Sequence, residues 1–170
     1  MILNYQLSDF RLEVKRRLNE ASFDGLWVTS ELNSYINHAM LRVVMDTRIL
    51  PASANINVTS NVSFYNLPND LLIPEYMISS SANGSLRLFP TFILSLDKMF
   101  GGMYQWEKAS SNTPSQFVPF SYNEFILWPA PSTVTTVKLT YIQQPATLVN
   151  DTDTTSLPLV AQRLVPIQAS

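Results

Sequence analysis

Apolar residues at helical spacing dominate the first fifty positions of the chain. They predict a helix over residues 8–19, with Ser8 as N-cap and Asp9 in the first turn, where the helix dipole favours negative charge. A second helix is predicted over residues 30–46, with Thr29 as N-cap. Both are long enough to pack as an antiparallel pair. Their apolar stripes consist of Leu7, Phe10, Val14, Leu18 and Ala21 in the first helix and Leu32, Tyr35, Ile36, Ala39, Met40 and Val43 in the second.

After Pro51 the apolar period becomes that of a strand. An Asn83-Gly84 step between two strand-like runs predicts a hairpin, because both residues tolerate positive φ. A second hairpin is predicted to turn near Tyr122 and Asn123, TVTTVKLTYIQQP predicts a further strand, and SLDKMFGG is typical of one short helical turn. The first alternating stretch, INVTSNVSFYNLP, places its apolar residues at Ile56, Val58, Val62 and Phe64.

The end of the sequence predicts a polar loop, ATLVNDTDTTSLP, followed by a helix that Pro166 should kink or end. The predicted order is two helices, five or six antiparallel strands with a short helical insert, and a terminal helix. This grouping predicts an α+β fold. With 170 residues the chain is expected to form one domain, divided into a helical part (1–50), a β part (51–148), and a loop with the C-terminal helix (149–170).

Composition narrows the function classes. Only 14% of the residues are charged and 46% are apolar, so the polar surface is unusually neutral and fits large assembly contacts. The net charge of -2 argues against nucleic-acid or anionic-membrane binding as a main activity. The absence of cysteine excludes disulfides, thiolate catalysis and Cys-based metal sites. We expect no export signal in MILNYQLSDF and no bilayer-spanning segment.

The only histidine, His38, is a weak candidate for catalysis. A triad or dyad needs a nucleophile and an orienting acid around the histidine. Ser34 lies four residues earlier and could touch it, but Ser-x-x-x-His on one helix matches no catalytic geometry known to us. No second histidine exists to complete a typical zinc site. We expect Asn33, Asn37 and His38 to lie off the apolar stripe, free to hydrogen-bond to neighbours.

The segment DTDTTS resembles the start of a calcium loop only superficially. With Asp151 and Asp153 at positions 1 and 3, position 6 is Ser156 instead of glycine and position 12 is Gln162 instead of glutamate. The EF-hand pattern fails at both positions, and a solvated loop is the preferred interpretation.

Two features leave carbohydrate chemistry open. Glu107 and Glu124 lie near aromatic residues and are the least implausible glycosidase pair, although ordinary surface acids explain them better. Trp27, Trp106 and Trp128 fit a sugar-stacking platform, and equally a core or an interface. We favour packing or interface contacts for the three tryptophans.

The first helix also carries a basic cluster that suggests DNA. The cluster is interleaved with Glu13 and Glu20, and Glu13 is placed to pair with Arg16 or Arg17. A solvated, self-paired face is the better interpretation. The basic residues are Arg11, Lys15, Arg16 and Arg17.

Five short segments follow one another along the chain: LWVTSELNSYINHAM, SFYNLPNDLLIPE, FILWPAPS, LTYIQQPATL and SLPLVAQRLV. In this order they resemble the head-to-tail adaptor proteins of tailed bacteriophages. LWVTSELNSYINHAM is similar to a W-t-x-x-E-L-x-x-Y-I-N-x-A segment of that family, and SFYNLPNDLLIPE is similar to its Y-x-L-P-x-D-l segment. FILWPAPS resembles a strand ending in Pro-x-Pro, LTYIQQPATL the following Y-x-x-x-P strand, and SLPLVAQRLV the start of the C-terminal helix. Together the segments cover most of the chain.

The resemblance implies a structural virion protein with no catalytic, cofactor-binding or metal-binding residues. It implies a bundle of an N-terminal helical hairpin and a C-terminal helix, with a central antiparallel β-sandwich or barrel-like unit. Such proteins form a ring, usually of twelve copies, that joins the portal to a tail or nozzle protein in the virion neck. DNA passes through the lumen with transient, non-specific contact, and twelve copies at -2 each carry -24.

Two other functions remain open from the sequence. One is another phage structural protein, such as a tail-completion or baseplate component, which would share the composition. The other is a carbohydrate-binding module or hydrolase, which predicts that the tryptophans lie exposed in a row beside an acid.

Overall fold

The computed structural model describes residues 4–19, 27–81 and 84–170. It divides into a helical unit, Met1–Pro51 with Ile142–Ser170, and a β unit, Ala52–Tyr141. No helix within the described ranges combines the length and apolarity needed to cross a membrane. The elements, in chain order, are α1 (Leu7–Arg17), α2 (Thr29–Thr47), β1 (Pro51–Val58), β2 (Phe64–Asn66), β3 (Leu71–Ser81), β4 (Gly84–Pro90), α3 (Ile93–Phe100), a 3-10 helix (Gln105–Lys108), β5 (Ser110–Ser111), β6 (Gln116–Pro119), β7 (Glu124–Trp128), β8 (Ala130–Pro131), β9 (Thr135–Gln143), α4 (Leu159–Gln162) and α5 (Val165–Ala169).

Both long helices start earlier than predicted, because a carboxylate caps each of them. The Gln6 N–H donates to Asp9 Oδ2 at 2.9 Å, and the Val28 N–H donates to a carboxylate oxygen of Glu31 at 3.4 Å. Each acid satisfies a donor that the first helical turn leaves unpaired. The predicted N-caps, Ser8 and Thr29, therefore lie inside the helices.

The apolar stripes pack largely as predicted. All the predicted residues of α2 are buried except Tyr35, which is 46% exposed and packs edge-on against Trp27 at 5.9 Å between ring centroids. That part of the prediction was wrong, because a partner ring outside the stripe holds Tyr35. In α1 the side chains of Leu7, Phe10 and Val14 are buried, whereas Ala21 and Glu20 fall outside the described residues.

The C-terminal segment forms two short helices instead of one. α4 ends at Gln162, and Pro166 lies in the first turn of α5, where proline leaves no hydrogen bond unmade. The predicted interruption is confirmed. α5 packs against both α1 and α2, which themselves touch, so the predicted bundle of a hairpin and a C-terminal helix is also confirmed.

Seven strands form one nearly closed, barrel-like sheet in the order β1-β9-β3-β4-β6-β7-β2. The β3–β4 and β6–β7 hairpins have the predicted antiparallel pairing, with Ser81 opposite Gly84 and Pro119 opposite Phe125. Residues 82 and 83 of the first turn, including the predicted Asn83, lie outside the described ranges. The α+β class is confirmed.

Two pairings depart from the antiparallel prediction. β4 and β6 run parallel, with Phe89 opposite Gln116. Parallel neighbours need a crossover connection, and the segment that contains α3 and the 3-10 helix supplies it. The short strands β5 and β8 are also parallel, in a separate two-stranded sheet.

The strand predicted through residues 56–64 is broken. β1 ends at Val58, and Val62 lies in a turn, 40% exposed. Phe64 begins β2, which pairs with β7, and its ring is 43% exposed against Phe120. The alternation correctly indicated extended backbone but wrongly implied one continuous buried face.

The β6–β7 hairpin is buried on both faces. Phe117, Phe125 and Leu127 point into the main core, while Val118 and Ile126 point into a second cluster with Leu96 and Trp106. Successive side chains of a strand face opposite sides, so α3 and the 3-10 helix cover one side and the rest of the sheet covers the other. The main core contains Val58, Met77, Leu88, Phe117, Phe125, Leu127, Val137, Leu139 and Tyr141.

Candidate interaction surfaces

His38 lies exposed on α2 and lines a cleft of the helical unit together with Ser30, Ser34, Asn37 and Gln144. The described residues that line this cleft include no Asp or Glu. The orienting acid that a triad needs is therefore missing from this lining. The cleft offers neutral hydrogen-bonding groups, which suit protein contact.

Asn37 has a different role from its neighbour His38. Its Nδ2 donates to the Leu148 carbonyl at 3.0 Å, and its Oδ1 accepts the Leu148 N–H at 2.9 Å. The side-chain amide thus pairs both backbone groups of a buried residue in the loop before α4. The expectation that Asn37 hydrogen-bonds to neighbours is confirmed, and its partner lies 111 residues away in the same chain.

In the sequence analysis Gln162 appeared only at position 12 of the calcium-loop pattern, where glutamate is required. In the structure its side chain is fully buried in the helical unit. Its Oε1 accepts the Tyr5 N–H at 2.9 Å, and its Nε2 donates to the Leu157 carbonyl at 2.7 Å. This amide connects the start of the chain to α4. No sequence signal marks it, because glutamine is usually an exposed residue.

The acidic loop is organised by its own hydrogen bonds. The backbone N–H groups of Asn150 and Val149 both donate to Asp153 Oδ2 at 2.8 Å. These two hydrogen bonds, the one from Asn150 most strongly, hold the pKa of the Asp153 carboxyl below its usual range. The Asp151 carboxylate forms an ion pair with Arg11 of α1. Among the described residues no group of three His, Asp or Glu side chains is arranged to hold a metal ion.

The basic cluster on α1 pairs with acids of its own unit. Glu13 forms ion pairs with Arg17 at 3.4 Å and with Arg16 at 3.9 Å, which confirms the predicted pairing. Arg11 pairs with Asp151, so Arg11, Arg16 and Arg17 all face carboxylates. Such exposed pairs add little stability, but they reduce the positive field that DNA binding requires.

The three tryptophans differ in burial and in the unit to which they belong. Trp106 is 1% exposed in the second core, with its Nε1 donating to Asp97 Oδ1 at 2.9 Å. Trp128 is half-buried and donates to the Trp106 carbonyl, whereas Trp27 belongs to the helical unit. The carbohydrate hypothesis predicted that Trp27, Trp106 or Trp128 lies exposed in a row beside an acid, and the buried Trp106 is not available for such a row. Glu107 is exposed on the 3-10 helix, and Glu124 accepts a hydrogen bond from Ser121 at 3.4 Å.

Among the described residues, many exposed apolar side chains occur around α3 in the β unit. Six of them lie within thirteen residues, each between 40% and 74% exposed. They do not share one face of α3: Leu94 lies opposite the buried Leu96, whereas Phe100 lies beside Leu96 and packs against Trp128. The six residues are Phe92, Leu94, Met99, Phe100, Met103 and Tyr104.

A second apolar surface lies on the C-terminal helices. Val160, Leu164 and Ile167 are 82%, 40% and 53% exposed. The backbone between α4 and α5 stays in the right-handed helical region, so the spacing of four and three residues places them on one side. We call this surface the C-terminal stripe. Exposed apolar surfaces of this kind are typical of protein contacts.

Tyr141 is buried and Tyr65 is partly buried, and the hydroxyls of both hydrogen-bond to protein groups. Tyr141 donates to Asp70 Oδ1 at 3.0 Å, and Tyr65 donates to the Val62 carbonyl at 2.7 Å. Burial raises the pKa of both phenols. At Tyr141 the hydrogen bond to Asp70 and the negative charge of Asp70 raise the pKa further. At Tyr65 a hydrogen bond with the Thr59 backbone lowers the pKa and partly offsets the effect of burial.

We expect Tyr141→Phe to make unfolding less sensitive to alkaline pH. The folded-state pKa of Tyr141 lies above its unfolded value of about 10, so its contribution is complete below pH 10 and is lost as pH rises through the folded pKa. The variant should lose about 0.5 to 1.5 kcal/mol at pH 7, and the gap should narrow above pH 10. Urea titrations from pH 7 to 11 test this, with the exposed Tyr122→Phe as control. A constant gap at every pH would contradict the assignment.

An α+β fold with exposed apolar side chains and a cleft of neutral polar groups is typical of structural, protein-binding molecules. The family model for the SU10 adaptor protein matches residues 5–166. The chain therefore belongs to the SU10 adaptor protein family and is a structural adaptor protein of a phage. Membership implies contacts with portal and tail proteins in the virion neck and a function that is generally non-enzymatic. No curated protein matches the sequence.

Proposed function

We propose that the chain assembles as a ring of identical copies, twelve by family resemblance, between the portal and the tail of a tailed phage. In this arrangement the helical and β units act together as one adaptor domain, and DNA passes through the lumen without being read. The family match over residues 5–166 supports an adaptor, and exposed apolar surfaces on both units support a chain that is covered in its working state.

Charge supports a channel that does not clamp DNA. The chain carries 11 basic and 13 acidic residues, and the basic side chains of α1 largely face acids. A lumen lined by such surfaces leaves few cations to hold phosphates, so contact with DNA is transient and non-specific. The protein is synthesised in the host cytoplasm and reaches the neck during particle assembly.

Localisation and reconstitution test the proposal together. In purified particles, the chain should occupy density between portal and tail; with isolated portal, the purified protein should form a complex whose native mass gives twelve copies. A portal protein with its tail-facing surface substituted serves as the control. A chain that never joins the portal or a tail component, or that lies elsewhere in the particle, would rule the proposal out.

A further inference from the structure

The start of α1 is hydrogen-bonded to the loop before α4, within the helical unit. The N–H groups of Leu7 and Ser8, in the first turn of α1, donate to the carbonyls of Asp153 and Asp151 at 3.0 and 3.2 Å. Backbone N–H groups at the start of a helix have no partner within that helix. The loop therefore supplies two of the partners that α1 needs, from the opposite end of the sequence.

Gln162 and Thr155 join the same two segments from the C-terminal side. The fully buried Gln162 amide accepts the Tyr5 N–H at 2.9 Å and donates to the Leu157 carbonyl at 2.7 Å. The Leu157 N–H donates to the hydroxyl of Thr155, which is 6% exposed, at 3.2 Å. With Ser79, these two are the buried polar residues of the described ranges. Buried polar contacts thus connect the two ends of the chain.

Buried polar contacts make partial opening unfavourable. If only the N-terminal segment moves away, Gln162 Oε1 loses the Tyr5 N–H and stays buried without a donor. If only the loop moves away, the N–H groups of Leu7 and Ser8 lose their acceptors. Each half-open state pays the penalty of unpaired polar groups, whereas complete opening lets water pair with all of them. The contacts are therefore expected to form together and break together.

The first turns of α1 depend on these contacts. α1 has 11 residues, and isolated helices shorter than about 12 to 15 residues are marginal in water. Arg11 forms an ion pair with Asp151 of the loop, and the Tyr5 ring stacks on the buried Phe10 at 5.3 Å between ring centroids. Opening removes these contacts at once, so the start of α1 should lose its order together with the loop.

We propose that residues 4–11 and 149–162 form a terminal latch, a conformational switch that opens and closes as one unit. The two segments also meet at an antiparallel bridge between Gln6 and Thr154. A partner that displaces either chain end then releases both, because the coupling between two segments is reciprocal. The latch uses only contacts within the helical unit, so neither its success nor its failure bears on the proposed function.

A substitution at the C-terminal end, measured at the N-terminal end, tests the coupling. Gln162→Met keeps the length of the side chain and removes both hydrogen bonds of the amide. Hydrogen exchange of the full chain, followed by NMR, should become at least about tenfold faster, by the same factor in both segments. Gln168→Met, the same change at an exposed position of α5, should stay close to wild type. The reporting amides are those of Leu7, Ser8, Asp153 and Leu157.

The reverse experiment starts from the N-terminal end. Tyr5→Ala removes the ring that stacks on Phe10 and should speed exchange at Asp153 and Leu157 as much as in the first turn of α1. Tyr122→Ala, at a side chain that is 91% exposed, is the matched control. Faster exchange confined to the segment that carries the substitution shows that the two ends open separately, and it overturns the latch.

The amides of α2 separate the latch from unfolding of the whole helical unit. In the Gln162→Met and Tyr5→Ala variants, exchange in the middle of α2, residues 36–44, should match that of wild type. Equal acceleration there overturns the latch as a separate unit, and so does unchanged exchange at every reporting amide. If Gln162→Met loses its helical circular dichroism, the shape-conserving Thr155→Val repeats the first test, since it removes only the acceptor of the Leu157 N–H.

Discussion

Trp106→Ala should lower the free energy of unfolding of the β unit by about 3 to 5 kcal/mol, the range for removing a buried aromatic side chain from a packed core. Trp106 is 1% exposed and packs with Leu96, Val118 and Ile126. The substitution leaves a cavity beneath α3 and removes the Nε1–H that donates to Asp97 Oδ1. The loss should appear as faster hydrogen exchange in β6 and β7, measured alongside urea unfolding followed by circular dichroism.

Two variants make this result specific. Trp106→Phe keeps most of the ring volume but not the Nε1–H, so it should cost distinctly less than the alanine variant. Trp27→Ala removes the same side chain from a site that is 37% exposed and should leave exchange in β6 and β7 unchanged. A Trp106→Ala protein within 1 kcal/mol or so of wild type would show that the second core does not form as described.

Asn37→Ala should destabilise the helical unit by about 2 to 6 kcal/mol, since it leaves two backbone groups of a buried residue unpaired at roughly 1 to 3 kcal/mol each. The Leu148 N–H and C=O both lose their partner, and Leu148 itself is 3% exposed. Thermal unfolding and hydrogen exchange at residues 146–150 measure the effect. The loop should exchange faster than the rest of the helical unit.

The isosteric variant Asn37→Asp provides the sharper comparison. Aspartate still accepts the Leu148 N–H but presents an oxygen to the Leu148 carbonyl, so it should cost nearly as much as alanine. His38→Ala, on the exposed neighbour, should stay within about 0.5 kcal/mol of wild type. Equal stability of the Asn37 and His38 variants would contradict a role for the amide in holding the loop.

Periodicity predicted the elements better than their partners. The α2 stripe, both hairpins and the break at Pro166 follow from local chemistry: spacing, turn residues and the missing proline donor. The parallel β4–β6 pair did not follow, because it depends on a crossover that brings distant segments together. The prediction that Val62 lies in one continuous extended stretch was wrong for a similar reason. β2 pairs with β7, which is distant in the sequence, and not with a neighbouring strand.

The interaction surfaces were less predictable than the fold. The stretch around α3 looked from its sequence like an ordinary short apolar helix, and only its packing shows which side chains the β unit leaves uncovered. Gln162 and Asn37 are similar cases, because their partners lie 157 and 111 residues away in the chain. A polar side chain that hydrogen-bonds to backbone groups far away in the sequence is not marked by any pattern in its neighbouring residues.

The division of the chain also sets an order of events during synthesis. The β unit is one continuous stretch, Ala52–Tyr141, whereas the helical unit combines residues from both sides of it. α1 and α2 gain their contacts with α5 only after residues 165–169 have left the ribosome. Since domains fold as units while translation proceeds, the β unit can complete its core first, while the parts of α1 and α2 that α5 later covers remain exposed. Host chaperones that bind exposed apolar helices would act on α1 and α2 during that interval.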